Sequence, residues 1–185
     1  MALKDKHKWN KKYQNNPIPD TPIELITKYT SLAAGKQALD IACGMGRHSK
    51  YLATLGFQVD ALDVSSLAIE SLQDIPNIHA KEVDFDTYTL TKNHYDLIVC
   101  TFFLKRELFT QIIDALKTDG ILIYETFVYH PDNEQISSER SYLLEEGELE
   151  DAFKDDLELI ESQEYWHETM KGFKMKKASI VGKKI

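Results

Sequence analysis

Cysteine is scarce in this chain: Cys43 and Cys100 are the only two in 185 residues. They offer no zinc-ligand spacing and fit a reducing compartment, so free thiols, no metal site and a cytoplasmic location are expected. No apolar run approaches the ~20 residues that span a bilayer. The opening MALKDKHKWN lacks the apolar stretch of a secretory signal. Basic charge is short as well, with 22 Lys and Arg against 30 Asp and Glu and a formal net charge of −8. Binding along a phosphate backbone needs a basic face, so nucleic acid is not an expected partner, and neither is a membrane. Repeats, low-complexity tracts and linkers are missing too. A chain of 185 residues is expected to be one domain with a proper core, residues 1–35 forming an N-terminal helical cap and 36–185 the core. Three charge runs are read as solvated faces. These are the lysines from Lys4 to Lys12, the acidic stretch from Glu145 to Glu161, and the lysines from Lys171 to Lys184.

What is present centres on ALDIACGMGRHS, Ala38 to Ser49. Leu39 and Ile41 belong to a short apolar run of buried-strand length. Gly44 and Gly46 then make a turn, and RHSKYLATLG reads as a helix stopped by Gly56. Strand, glycine turn and helix together bring backbone N–H groups up to a nucleotide-like ligand. Asp40, inside the strand, repels a pyrophosphate but attracts an ammonium and a sulfonium, the cations of S-adenosylmethionine. Arg47 and His48 open the helix and are expected to make solvent or first-turn contacts.

Around this motif the chain alternates. Trp9 and Tyr13 share one face of a first helix, and Pro17, Pro19 and Pro22 break it. Asp20 or Thr21 is expected to cap a second helix with Pro22 at its first position. FQVDALDVS reads as a strand, Ser65 or Ser66 as the cap of the next helix, and IHAKEVDF and YDLIVC as further strands. LFTQIIDALKTDG reads as a helix closed by Gly120, and ILIYETF as the fifth strand. Such alternation implies a doubly wound α/β fold with a mostly parallel sheet. LELIESQEYW and FKMKKASIVGKKI, with no helix between them, predict a closing antiparallel hairpin.

In an open α/β sheet the ligand lies outside the carboxyl ends of the strands. Asp63, about twenty residues past the glycines, is placed to accept both ribose hydroxyls. A helix cap is its alternative role. Asp84 can receive an adenine amine, with Phe85 beside it.

The runs ALDIACGMGRHS, VDALDVSSLAI, VDFD, YDLIVCTFF and LKTDGILIYETF resemble a class I S-adenosylmethionine-dependent methyltransferase. WNKKY, TFFL and YLLEEGELEDAF resemble the small tellurite-resistance methyltransferase group in particular. The resemblance implies a seven-stranded sheet with one reversed strand and helices on both faces. It implies that Asp40, Gly44 and Gly46 take the methionine end of the cofactor, Asp63 and Val64 the ribose, and Asp84 and Phe85 the adenine. Cys100 and Thr101 would pass under the reactive end. Trp9 and Tyr13 are read as core packing or a lid over the cofactor. Phe102, Phe103, Tyr129, His130 and Arg140 complete a candidate substrate pocket, with His130 as a possible base and Arg140 as an anion contact. A small soft nucleophile, a thiol or a chalcogen oxyanion such as tellurite, is the expected acceptor. Two other readings stand beside it, a catalytically silent cofactor-binding module and a nicotinamide-dependent oxidoreductase. The second is weakened by Ser49, which stands where the third glycine of G-x-G-x-x-G belongs.

Overall fold

The computed structural model describes residues 2–15, 19–135, 139–169 and 172–185. The helix-breaking role expected of Pro17 lies outside the described residues. The elements run α1 (Ala2–Asn15), α2 (Glu24–Tyr29), β1 (Gln37–Ile41), α3 (Arg47–Thr54), β2 (Gln58–Asp63), α4 (Ser66–Glu70), β3 (Ile78–Glu82) and β4 (Tyr95–Thr101). They continue with α5 (Phe109–Ala115), β5 (Leu116–Phe127), α6 (Glu148–Asp151), β6 (Leu157–Glu168) and β7 (Lys174–Lys184). The seven strands form one sheet in the order β3-β2-β1-β4-β5-β7-β6. The first five are parallel, and β7 runs against both β5 and β6. This is the fold expected from the sequence, with β7 as the reversed strand. No helix among the described residues is long and apolar enough to cross a membrane.

Alternation along the strands divides the core. Leu39, Ile41, Leu62, Ile98 and Tyr124 face α5 and α6, packing on Ile112, Leu149 and Phe153. Ala38, Val59, Leu97, Val99 and Ile123 face α2 and α3, packing on Ile26 and Leu52. Each large side chain so buried stabilises the fold by about 1.5–3 kcal/mol. Both cysteines are free and buried.

Three local readings change. First, α2 begins at Glu24 with Ile23 as its N-cap and no side-chain cap, so neither Asp20 nor Thr21 caps it. The N–H of Ile23 points at His48 Nε2, 3.5 Å away, and Asp20 lies 3.7 Å from Lys50 instead. Second, α5 stops at Ala115, five residues before the expected Gly120 closure. Leu116 already pairs with Tyr95, and the chain bulges before Ile121 meets Leu97. Asp119 is left-handed (φ 62°) in that bulge, and a β-carbon on Gly120 would sit 2.8 Å from the Lys117 carbonyl oxygen. Third, the acidic and basic runs, solvated as expected, also pair with one another. The hairpin sets them side by side, Lys176 bridging Glu164 at 2.8 Å and Glu146 at 3.3 Å, and Lys183 meeting Glu158 at 3.2 Å. Of the expected caps, Ser65 holds, its Oγ accepting from Ala68 N at 3.2 Å.

Gly46 is fixed by packing as much as by conformation. It is left-handed (φ +77°), and a β-carbon there would stand 2.3 Å from a Leu72 methyl. Gly56 is equally left-handed (φ +80°) but has open space around it. Gly56→Ala should therefore cost about 1–2 kcal/mol of strain, and Gly46→Ala about 2–5 kcal/mol once overpacking is added. Urea denaturation measures both, and equal losses would show that Leu72 yields freely.

Candidate active site

The carboxyl ends of β1 and β2 carry two buried acids, Asp40 and Asp63, 1% and 4% exposed. Asp40 accepts one hydrogen bond from Ser49 Oγ at 2.6 Å. Burial pushes its carboxyl up to about 7; the Ser49 bond opposes that, the charge of Asp63 adds to it, and Arg47 offsets a little. Asp63 fastens the glycine turn. Its Oδ2 accepts from Gly44 N at 2.9 Å and its Oδ1 from Ser65 N at 2.8 Å. Burial raises its pKa, and these backbone N–H groups oppose the rise. The helix-cap role read for Asp63 falls to Ser65, the N-cap of α4; Asp63 instead ties two backbone segments, and each of its oxygens keeps a lone pair. Val64, half-buried, follows directly.

Farther along, Asp84 lies two residues past the end of β3 and accepts from Asp86 N at 3.0 Å. Phe85 is buried against Phe103, ring centres 5.3 Å apart. Cys100 is buried in the core, its thiol pushed up to about 12 by burial. Thr101 Oγ1 lies 3.3 Å from His48 Nδ1.

Helix α1 lies across these strand ends. Asn10 bonds Ser66 and Ser65, at 3.1 and 2.6 Å, and Lys6 bridges Glu82 at 2.6 Å. Trp9 and Tyr13 stack with ring centres 5.5 Å apart. Tyr13 reaches the glycine turn, where a β-carbon on Gly44 would sit 3.0 Å from its hydroxyl oxygen. Burial raises the Tyr13 pKa, and the charges of Asp63, Cys43 and Asp40 add to the rise. Gly44 thus faces Tyr13 of α1, whereas Gly46 faces Leu72.

Past β4 the two phenylalanines part. Phe102 is left-handed (φ 56°), a rare state for a bulky residue, and its N–H donates to the Glu125 carbonyl at 2.8 Å. Its ring meets Phe127 at 5.5 Å, while Phe103 goes into the core with Phe85. Behind Phe102 lies a polar group that sequence reasoning missed. Lys177 Nζ contacts Glu125 Oε1 at 2.8 Å, both side chains 4% exposed, and Tyr165 donates to Glu125 Oε2 at 2.6 Å. Only the register of β5, β7 and β6 reveals this triad. His48 is not at the surface either. It is 4% exposed and held neutral, its pKa pushed down to about 3 by burial and by Arg47.

The remaining pocket candidates gather apart. His130 packs edge-on to Trp166 at 5.0 Å, and its Nδ1 accepts from Asp132 N at 3.2 Å. Arg140 stacks on Tyr129 at 3.7 Å and pairs with Glu145. Among the described residues no group of His, Cys, Asp or Glu is placed to hold a metal ion.

The family model of the tellurite resistance protein TehB matches residues 1–178. The chain belongs to the TehB family. In family and fold it is similar to class I S-adenosylmethionine-dependent methyltransferases. A probable S-adenosyl-L-methionine-dependent methyltransferase TehB of Haemophilus influenzae is 28% identical over 192 residues, which cover 95% of this chain and 65% of that protein. The chain therefore spans about two thirds of that TehB relative's length. The crystal structure of TehB from Haemophilus influenzae superposes with a TM-score of 0.76 at 25% identity, covering 97% of this chain and 67% of that one. A ribosomal protein L11 methyltransferase of Campylobacter fetus is 37% identical over 82 residues, 42% of this chain and 29% of that protein. The residues at the strand ends fit a cofactor that carries cations and ribose hydroxyls: Asp40 is buried with Ser49 as its hydrogen-bond donor, and Asp63 keeps lone pairs beside its two backbone donors.

Two outcomes follow from this geometry. Asp63→Ala leaves the N–H groups of Gly44 and Ser65 without an acceptor, so it should cost roughly 2–4 kcal/mol in urea denaturation, and Asp63→Asn less. A ligand cation beside Asp40 favours its carboxylate, so binding releases a proton below the Asp40 pKa of about 7. Affinity for S-adenosylmethionine should rise with pH by up to about ten-fold per unit until about 7, then level off. Calorimetry from pH 5.5 to 8 checks this, and a flat profile would contradict it.

Proposed function

We propose that the chain transfers a methyl group from S-adenosylmethionine to a small soft nucleophile, a thiol or a chalcogen oxyanion such as tellurite. Asp40 carries the reading: a carboxyl buried near the carboxyl end of β1, hydrogen-bonded to Ser49, close to the glycine turn that Tyr13 covers. In this proposal Asp40, Gly44 and Gly46 hold the methionine end, Asp63 and Val64 the ribose, and Asp84 the adenine amine. Phe85 walls the adenine side from within the core, and Cys100 and Thr101 line the floor under the reactive end. Residues 1–35 act as the cap of a single catalytic domain, with Tyr13 and Trp9 closing over the glycine turn.

When bound, the cofactor supplies a methyl carbon activated by a sulfonium; the acceptor's lone pair bonds to it as the carbon–sulfur bond breaks, its electron pair staying on sulfur. The chain's own task is to align and dehydrate the pair, and alignment is worth about 7–11 kcal/mol. The described side chains at the strand ends support an acceptor that needs no base. His48 is neutral and turned towards Thr101 and Ile23, Glu125 is occupied by Lys177 and Tyr165, and His130 is engaged with Asp132 and Trp166. A thiol with a pKa near ~8.5 already carries a few per cent of reactive thiolate at neutral pH. A macromolecular acceptor has less support, since the L11 methyltransferase matches cover 42% and 75% of the chain against 95% for the TehB relative, and the net charge of −8 disfavours nucleic acid.

Thermal unfolding with ligands tests the cofactor, and turnover of a panel of thiols, phenols, amines and chalcogen oxyanions tests the acceptor. S-adenosylmethionine at ~100 times its Kd should stabilise the fold by about 2.7 kcal/mol, a rise of roughly 5–11 °C in Tm. NAD should do little. A shift with NAD alone, or turnover confined to amines, would overturn the proposal.

A further inference from the structure

Cations near the strand ends are mostly committed. Lys177 is bound to Glu125 at 2.8 Å, Lys105 to Asp86 at 2.5 Å, and Arg140 is paired with Glu145. Arg47 is different. It opens α3 directly after the glycine turn and is half-buried. Among the described residues its guanidinium has no hydrogen-bond or ion-pair partner within reach, only the face of Phe102 at 5.5 Å. Burial lowers its pKa, opposed by Asp40 and Glu125, whose charges it feels from beyond contact distance. A guanidinium stays charged at any working pH, and stripping it of water without a partner is costly.

Its surroundings face the reacting end. Phe102 follows Thr101 at the carboxyl end of β4, and its left-handed backbone turns the ring towards the cations. Lys177 Nζ sits over the same ring at 4.6 Å but is neutralised by Glu125. Ser179, opposite Glu125 in the β5–β7 register, has a buried Oγ with no partner among the described residues. The Ser179 hydroxyl is thus left unsatisfied by the chain, and of the two cations over Phe102 only Arg47 has no carboxylate in contact among the described residues. Asp40 does not use that charge up, because it stands beyond ion-pair distance and is needed for the cofactor's cations.

We propose that Arg47 binds the oxyanion group of the methyl acceptor and sets the enzyme's preference for anionic acceptors, a role that rests on the methyltransferase reading above. The planar fork of N–H donors suits a compact group of two or three oxygens. That group is either the acceptor itself, as in a chalcogen oxyanion, or the carboxylate of a small thiol. Arg140, assigned the anion contact from sequence, is occupied by Glu145 and Tyr129.

The test uses the full chain loaded with S-adenosylhomocysteine, and titrates selenite, mercaptoacetate and mercaptoethanol by calorimetry. The wild type should bind an anionic probe, and Arg47→Gln should weaken that binding at least about ten-fold. Arg47→Lys, which keeps the charge and loses the fork, should fall between. Mercaptoethanol, which has a hydroxyl in place of the carboxylate, should bind wild type and variant alike. The Kd for S-adenosylhomocysteine should stay within about two-fold, since the contact is with the acceptor. In turnover the loss should appear in KM more than in kcat, and whichever of selenite and mercaptoacetate is methylated identifies the source of the anion. A parallel loss of S-adenosylhomocysteine affinity would assign Arg47 to the cofactor and overturn the inference. So would undiminished anion binding in Arg47→Gln, or no anion binding by a wild type that holds S-adenosylhomocysteine. A wild type that does not bind S-adenosylhomocysteine overturns the methyltransferase reading itself.

Discussion

The carboxylate of Asp63 accepts two backbone N–H groups from different segments, Gly44 of the turn after β1 and Ser65 of the cap before α4. That one group ties the turn after β1 to the end of β2, with Tyr13 packed on the Gly44 side of the turn and Leu72 on the Gly46 side. It also anchors Ser65, which in turn caps α4 and bonds Asn10 of α1. Strand, turn, helix cap and overlying helix therefore meet at a single buried acid. Two acids buried side by side, Asp40 and Asp63, repel one another. The fold tolerates this because Asp63 is satisfied by amides and Asp40 by Ser49, leaving Asp40 as the group whose charge waits on a ligand.

Element order, the parallel sheet and the closing hairpin were legible in the sequence because they rest on apolar periodicity and on turn residues. The carboxyl-edge acids were legible for a similar reason: each closes or follows a strand that the pattern already located. Features that depend on register or on single left-handed residues were not. The Glu125–Lys177–Tyr165 triad joins three strands, and no spacing along the chain announces it. The end of α5 was missed because Leu116 turns extended to pair with Tyr95 of β4, and a leucine in a helical pattern does not signal that. His48 was read as exposed because a polar residue in a first helical turn normally is; here Ile23 and Thr101 enclose it.

Adjacent phenylalanines show how one dihedral angle divides labour. Phe103 joins Phe85 in the core, and Phe102, reversed by its positive φ, meets Phe127 and two cations. A dipeptide that reads as plain hydrophobic filling thus supplies walls to two compartments. The charge runs behave comparably. Read alone they suggest a strongly polarised surface, yet the hairpin sets Lys176 and Lys183 against Glu146, Glu158 and Glu164, so much of the field cancels locally.

Helix α1 is fastened at several points, through Lys6 to Glu82, Asn10 to Ser65 and Ser66, and Lys8 over the Tyr142 ring. Tyr13 sits at its far end, directly on the open side of Gly44. A side chain at position 44 would meet that hydroxyl, so the conformation of the glycine turn and the seat of α1 constrain one another, and a change at either is felt at both.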